Sequence, residues 1–72
     1  MNELRLSELV KKQRKKEGMD QEELAYSAGV GLRFVRDLEQ GKETLQINKI
    51  NDVLNLFGYE LGPIQIKRDI EE

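Results

Sequence analysis

The chain has no cysteine and no histidine, and only one proline in its 72 residues. Without cysteine there is neither a disulfide nor a thiolate metal site. Without histidine the commonest general base and the commonest metal ligand are both missing. No apolar run approaches the length that spans a bilayer, and the N-terminus lacks the apolar core of a signal peptide. A soluble, cytoplasmic protein with no membrane role is the expectation. A glycine-rich phosphate loop is also missing, and the acidic residues are scattered along the chain rather than paired. A helical chain this short offers no deep pocket of enzymatic size. The sequence therefore predicts a non-enzyme that holds no metal and no cofactor. At this length it is one small domain, marginal by itself unless it associates.

What the chain does have is charge, unevenly placed. The net charge is −2, which is the wrong sign for a nucleic-acid binder. Residues 1–18, however, carry six basic against three acidic side chains, a local +3, and residues 43–72 carry three against six, a local −3. Phosphate contact depends on local positive surface rather than on the total.

Along the chain, Leu6, Leu9 and Val10 recur at helical spacing, predicting a first helix over about 4–17, with Gly18 as its stop. Asp20 can cap a second helix, and Glu23 three residues on can reach back to the cap backbone. Gly29 ends that helix. Val30 is the one apolar residue of the turn and should plug between the helices. A third helix is predicted over about 32–40, with Val35 and Leu38 inward. After the connector Gly41-Lys42-Glu43, Thr44 can cap a fourth helix. There Ile47, Ile50, Leu54 and Phe57 form one apolar stripe, and Leu45, Val53 and Leu56 form a second face that wants a second partner. Gly58 stops the helix. In residues 59–67 the period changes to two: Tyr59 and Leu61 alternate in one phase, Ile64 and Ile66 in the other, and the phase flips at Gly62-Pro63. This predicts a single strand. A lone strand needs partners for its backbone groups, so it is expected to pair with its own copy across a two-fold axis.

The second and third helices, joined by a short glycine-containing turn, make a helix-turn-helix pattern, an arrangement that lays its second helix in the DNA major groove. The residues Gln21-Glu22-Glu23-Leu24-Ala25, Ala28-Gly29-Val30 and Leu38-Glu39-Gln40-Gly41-Lys42 resemble the Xre/Cro family of phage-repressor-like DNA-binding domains, over about residues 4–58. The stretch Gly31 to Lys42, followed by Thr44-Leu45-Gln46 and by Val53-Leu54-Asn55-Leu56-Phe57-Gly58-Tyr59, is similar to HipB-type antitoxins, which pair with HipA-type serine/threonine kinase toxins. The expected architecture is all-α: a four-helix phage-repressor-like domain over 1–58, a dimerisation strand over 59–67 and a charged tail over 68–72. The resemblance implies a homodimeric repressor of transcription on a palindromic double-stranded operator. As an antitoxin it would also neutralise a HipA-type kinase and repress their shared operon. A stand-alone repressor of a phage or mobile element is the alternative, and an interaction module that has lost DNA binding is a third reading.

Arg33 and Arg36 fall in the first two turns of the third helix, where arginine reads guanine in bidentate fashion or clamps phosphate. The bland alternative is a solvated helix face. Leu32 could meet a thymine methyl or serve the fold. Phe34 either packs as core or faces the groove. Asp37 either accepts from a cytosine amino group or repels phosphate. Gln21, at the start of the second helix, and Gln40 and Lys42, just beyond the third, are phosphate candidates. For Gln21 the alternative is a plain first-turn glutamine. Lys11, Lys12, Lys15 and Lys16 read as a mostly solvated face. By the resemblance, Arg14 and Glu39 stand where the family carries a paired arginine and glutamate linking the first and third helices. The expected dimer interface comprises Leu45, Val53, Leu56, Tyr59, Leu61, Ile64 and Ile66.

Overall fold

The computed structural model describes residues 5–66. Among them are four helices: α1 (Leu6–Lys16), α2 (Gln21–Ala28), α3 (Leu32–Glu39) and α4 (Ile47–Leu56). Local hydrogen bonds explain most of the boundaries. The backbone N–H of Arg5 donates to Glu8 Oε1 at 3.2 Å, satisfying one orphan donor at the start of α1. Before α2 the exchange is reciprocal. Glu23 N–H donates to Asp20 Oδ1 and Asp20 N–H donates to Glu23 Oε1, both at 2.8 Å.

The expected Thr44 cap does not form. Helix α4 begins after Gln46, whose backbone is extended and whose side chain makes no cap bond. Leu45 is half-buried against the core, so the chain drops an apolar anchor before it turns into the helix. Thr44 is left too far upstream to reach the first helical N–H groups.

Each described helix closes with the same pair of bonds around a glycine of positive φ. The residue after that glycine returns its N–H to a carbonyl five positions earlier: Met19 to Arg14, Val30 to Ala25, Lys42 to Asp37 and Tyr59 to Leu54, at 2.9–3.1 Å. This geometry brings those two positions close together. Glycine is needed most plainly at Gly29 (φ 75°), where the turn between α2 and α3 leaves no length to recover from a mis-set angle.

The core is built from Val10 of α1, Leu24 and Ala25 of α2, Val35 and Leu38 of α3, and Ile50, Val53 and Leu54 of α4. Val30 packs half-buried against it. Three of the four residues expected on the inward stripe of α4, Ile50, Leu54 and Phe57, do face the core, while Ile47 does not and Val53 joins them. The inward face is Ile50, Val53, Leu54 and Phe57, at i, i+3, i+4 and i+7, a full-width amphipathic stripe. Val53, expected in a subunit interface, has no exposed surface and is core. Ile47, expected inward, is 65% exposed.

Residues 59–66 carry no regular secondary structure, which corrects the expected strand. A strand exists through bonds to a neighbouring strand, and this segment is held differently. Leu61 N–H donates to Asn51 Oδ1 at 2.8 Å. The Leu61 side chain is half-buried against the chain's own core rather than displayed for a second subunit. Tyr59, Ile64 and Ile66 do remain exposed, as does Leu56. Lys67 and the charged tail over 68–72 lie outside the described residues, as does Leu4 at the expected start of the first helix.

Candidate nucleic-acid interface

Helix α3 is eight residues long and divides sharply into two faces. Val35, Leu38 and Glu39 are buried. At 100° per residue, Arg33, Arg36 and Asp37 fall on the opposite side. Both arginines are exposed, and the Arg33 side chain retains 87% of its accessible surface. Leu32 and Phe34 are half-buried and pack on the core from the flanks. The outward surface of α3 is therefore polar and mostly basic, presented from a rigid and well-packed inner face.

The back of α3 is fixed by a buried ionic knot. Arg14 donates from Nε to Glu39 Oε2 at 2.7 Å and from Nη2 to Oε1 at 3.0 Å, a two-point fork. Its Nη1 donates to the Met19 carbonyl at 2.9 Å. Gln21 adds a third donor to Glu39, from Nε2 to Oε1 at 3.1 Å. The Glu39 side chain is only 2% exposed and that of Arg14 only 12%. Burial pushes the Glu39 carboxyl up. The hydrogen bonds from Arg14 and Gln21, with the charges of Arg14 and Lys11, outweigh it and hold the group below its usual 4.5. The hydrogen bond to Glu39 likewise raises Arg14 against the cost of burial. One carboxylate thus ties the last turn of α1, the first residue of α2 and the last of α3 into one frame.

The role of Gln21 in this frame is a residue function that sequence reading did not supply. The available signal was Glu39 itself, because a buried carboxylate has more acceptor sites than one arginine fork fills. One N–H of the Gln21 amide is committed to Glu39, and the second remains for another acceptor. Gln40 and Lys42 are exposed just beyond α3. Asp37 sits between two cations: Oδ1 lies 3.7 Å from Arg33 Nε and Oδ2 lies 3.6 Å from Lys42 Nζ.

A family model described as helix-turn-helix matches residues 10–64. The chain belongs to the helix-turn-helix family. Within that frame α2, the turn Gly29-Val30-Gly31 and α3 form the motif, and α1 and α4 complete the core beneath it. A protein of Sinorhizobium fredii (strain NBRC 101917 / NGR234), named as an uncharacterized HTH-type transcriptional regulator, y4mF, is 54% identical over 50 residues. The aligned region covers 69% of this chain and 66% of that relative. Elsewhere on this helix-turn-helix chain, an open depression of about 430 Å³ is lined by Glu17, Met19, Glu22, Glu23, Tyr26 and Ser27. Among the described residues no helix is long and apolar enough to cross a membrane.

Proposed function

We propose that this chain is a sequence-specific DNA-binding repressor of transcription, without enzymatic activity, that works in the cytoplasm as a homodimer on a palindromic operator. The observation that carries the reading is the outward face of α3, where Arg33 and Arg36 project from a helix clamped from behind by Arg14, Gln21 and Glu39. A helix locked in this way can offer two arginines to the major groove without losing orientation, and each good bidentate base contact discriminates by about 1–3 kcal/mol. The name of the Sinorhizobium fredii relative, a transcriptional regulator, supports the same reading. Exposed Leu56, Tyr59, Ile64 and Ile66 supply apolar surface for a second copy. A homodimer would set two α3 helices about 34 Å apart, one turn of duplex. The finer role is that of an antitoxin, resting on the resemblance to HipB-type proteins. In that role the dimer also binds a HipA-type serine/threonine kinase toxin and represses the operon encoding both.

The test is a gel-shift titration with the DNA upstream of the chain's own gene against a scrambled duplex, paired with sedimentation equilibrium. The expected result is a dimer that prefers its upstream DNA. Replacing Ile64 and Ile66 together by aspartate, at positions 74% and 72% exposed, should dissociate the dimer and weaken operator binding while the helices stay folded. Equal binding to both duplexes would refute sequence-specific recognition. A tight dimer in the aspartate variant would remove the tail from the interface. Co-purification with the product of the adjacent reading frame tests the antitoxin role.

A further inference from the structure

The pair of cations around Asp37 calls for an explanation, because a carboxylate on the outward face of a DNA-reading helix opposes phosphate. The local geometry shows how it is held. Lys42 N–H donates to the Asp37 carbonyl at 3.0 Å, closing the α3 stop around Gly41. That turn brings positions 37 and 42 close together, a contact that is usually apolar. The equivalent positions are Arg14 with Met19 after α1, Ala25 with Val30 after α2 and Leu54 with Tyr59 after α4, none of them an oppositely charged pair. After α3 they are Asp37 and Lys42, with Nζ 3.6 Å from Oδ2. One turn earlier along α3, Arg33 reaches the other oxygen at 3.7 Å. The Asp37 side chain is 22% exposed, far less than Arg33 at 87% or Lys42 at 52%. The carboxylate is therefore the inner member of the trio, and the two cations are its more exposed partners.

We infer that Asp37 is a specificity-determining residue: it reads no base, but holds Arg33 and Lys42 and screens their charge against indiscriminate phosphate binding. The inference rests on the DNA-binding reading above. On any duplex the carboxylate repels backbone phosphate, so sequence-independent attachment is weakened. On the operator, Arg33 exchanges its ion pair with the carboxylate, 3.7 Å away, for hydrogen bonds to a correctly placed guanine. The arginine thus leaves its ion pair only where base acceptors are offered.

The experiment uses the full chain and Asp37→Asn, which keeps the shape and removes the charge, alongside Asp37→Glu, which keeps the charge. Affinity for the upstream duplex and for a scrambled duplex of equal length is titrated across salt concentrations. In Asp37→Asn, affinity for scrambled DNA should rise by about three- to tenfold, the effect of removing one like charge near the backbone. The salt dependence on scrambled DNA should steepen by about one unit of log–log slope, as one further phosphate is neutralised. The ratio of upstream to scrambled affinity should fall by about the same three- to tenfold, because on the upstream duplex the base contact of Arg33 dominates and affinity changes little. Asp37→Glu should keep the wild-type slope. A residue that merely supported the fold would lower the melting temperature and weaken both duplexes alike. If wild type discriminates between the duplexes while Asp37→Asn leaves slope and ratio unchanged, or weakens both duplexes in proportion, this inference falls alone. If wild type binds neither duplex, the DNA reading falls and takes the inference with it.

Discussion

Arg14→Ala is the most exposing perturbation of this molecule, because it removes three hydrogen bonds and one charge from a buried knot. Glu39, with a side chain 2% exposed, would keep only Gln21 as a donor. Removing one partner of a buried pair costs about 3–5 kcal/mol, since the remaining charge is left uncompensated. Arg14 is partly accessible and water can follow the truncation, so the lower end, about 3 kcal/mol, is expected. At about 2.1 cal/mol/K of unfolding entropy per residue, a chain of 72 residues loses about 20 °C of melting temperature for that change. Thermal unfolding followed by circular dichroism measures it, with Glu39→Ala and the double variant completing a cycle. The double variant should be clearly more stable than the sum of the single effects implies. Replacing both residues by methionine should recover most of the loss, because apolar isosteres of a buried pair are often neutral or better. A melting temperature within a few degrees of wild type for Arg14→Ala, or strict additivity in the cycle, would refute the account of the knot as an energetic unit.

Arg33→Ala should leave the melting temperature unchanged, given its exposure, and weaken operator binding by about 1–3 kcal/mol; unchanged operator affinity at matched salt would remove Arg33 from the reading face. Glu39 titrates below its usual 4.5 in the folded chain, so its stabilisation is complete above the unfolded value and is lost as pH falls through the lower folded one. Urea unfolding at successive pH values should therefore show wild type losing stability below about 4.5 faster than Glu39→Gln, and parallel curves would contradict the shift. Asn51→Ala removes the acceptor that holds Leu61 N–H at 2.8 Å. It should cost about 1–2 kcal/mol and loosen residues 59–66, read as faster amide exchange at Leu61.

The helix boundaries, apart from the start of α4, were legible in the sequence because the interactions that set them are local. Asp20 and Glu23 are three residues apart, and both bonds of their box are present. The stops at Gly29 and Gly41 each join groups within five residues. The motif spacing followed from these, and so did the burial of Val35 and Leu38 opposite Arg33 and Arg36. Arg14 and Glu39 were paired by resemblance alone, since nothing in their own neighbourhoods points across 25 positions.

Tertiary structure decided the rest. Ile47 is exposed and Val53 is buried because only the position of the other three helices selects which apolar residues of α4 are covered. The period of two in residues 59–66 reads as a strand, yet the segment obeys its contact with α4, where Asn51 and the core capture Leu61. Gln21 takes on a structural role as well, because Glu39, 18 positions away, accepts from its amide. Sequence by itself determined where this chain turns and which family frame it enters, because caps and stops are made among near neighbours. Which apolar face is covered, which polar atoms pair and how α3 is clamped depended on groups brought together only by the packing of the four helices.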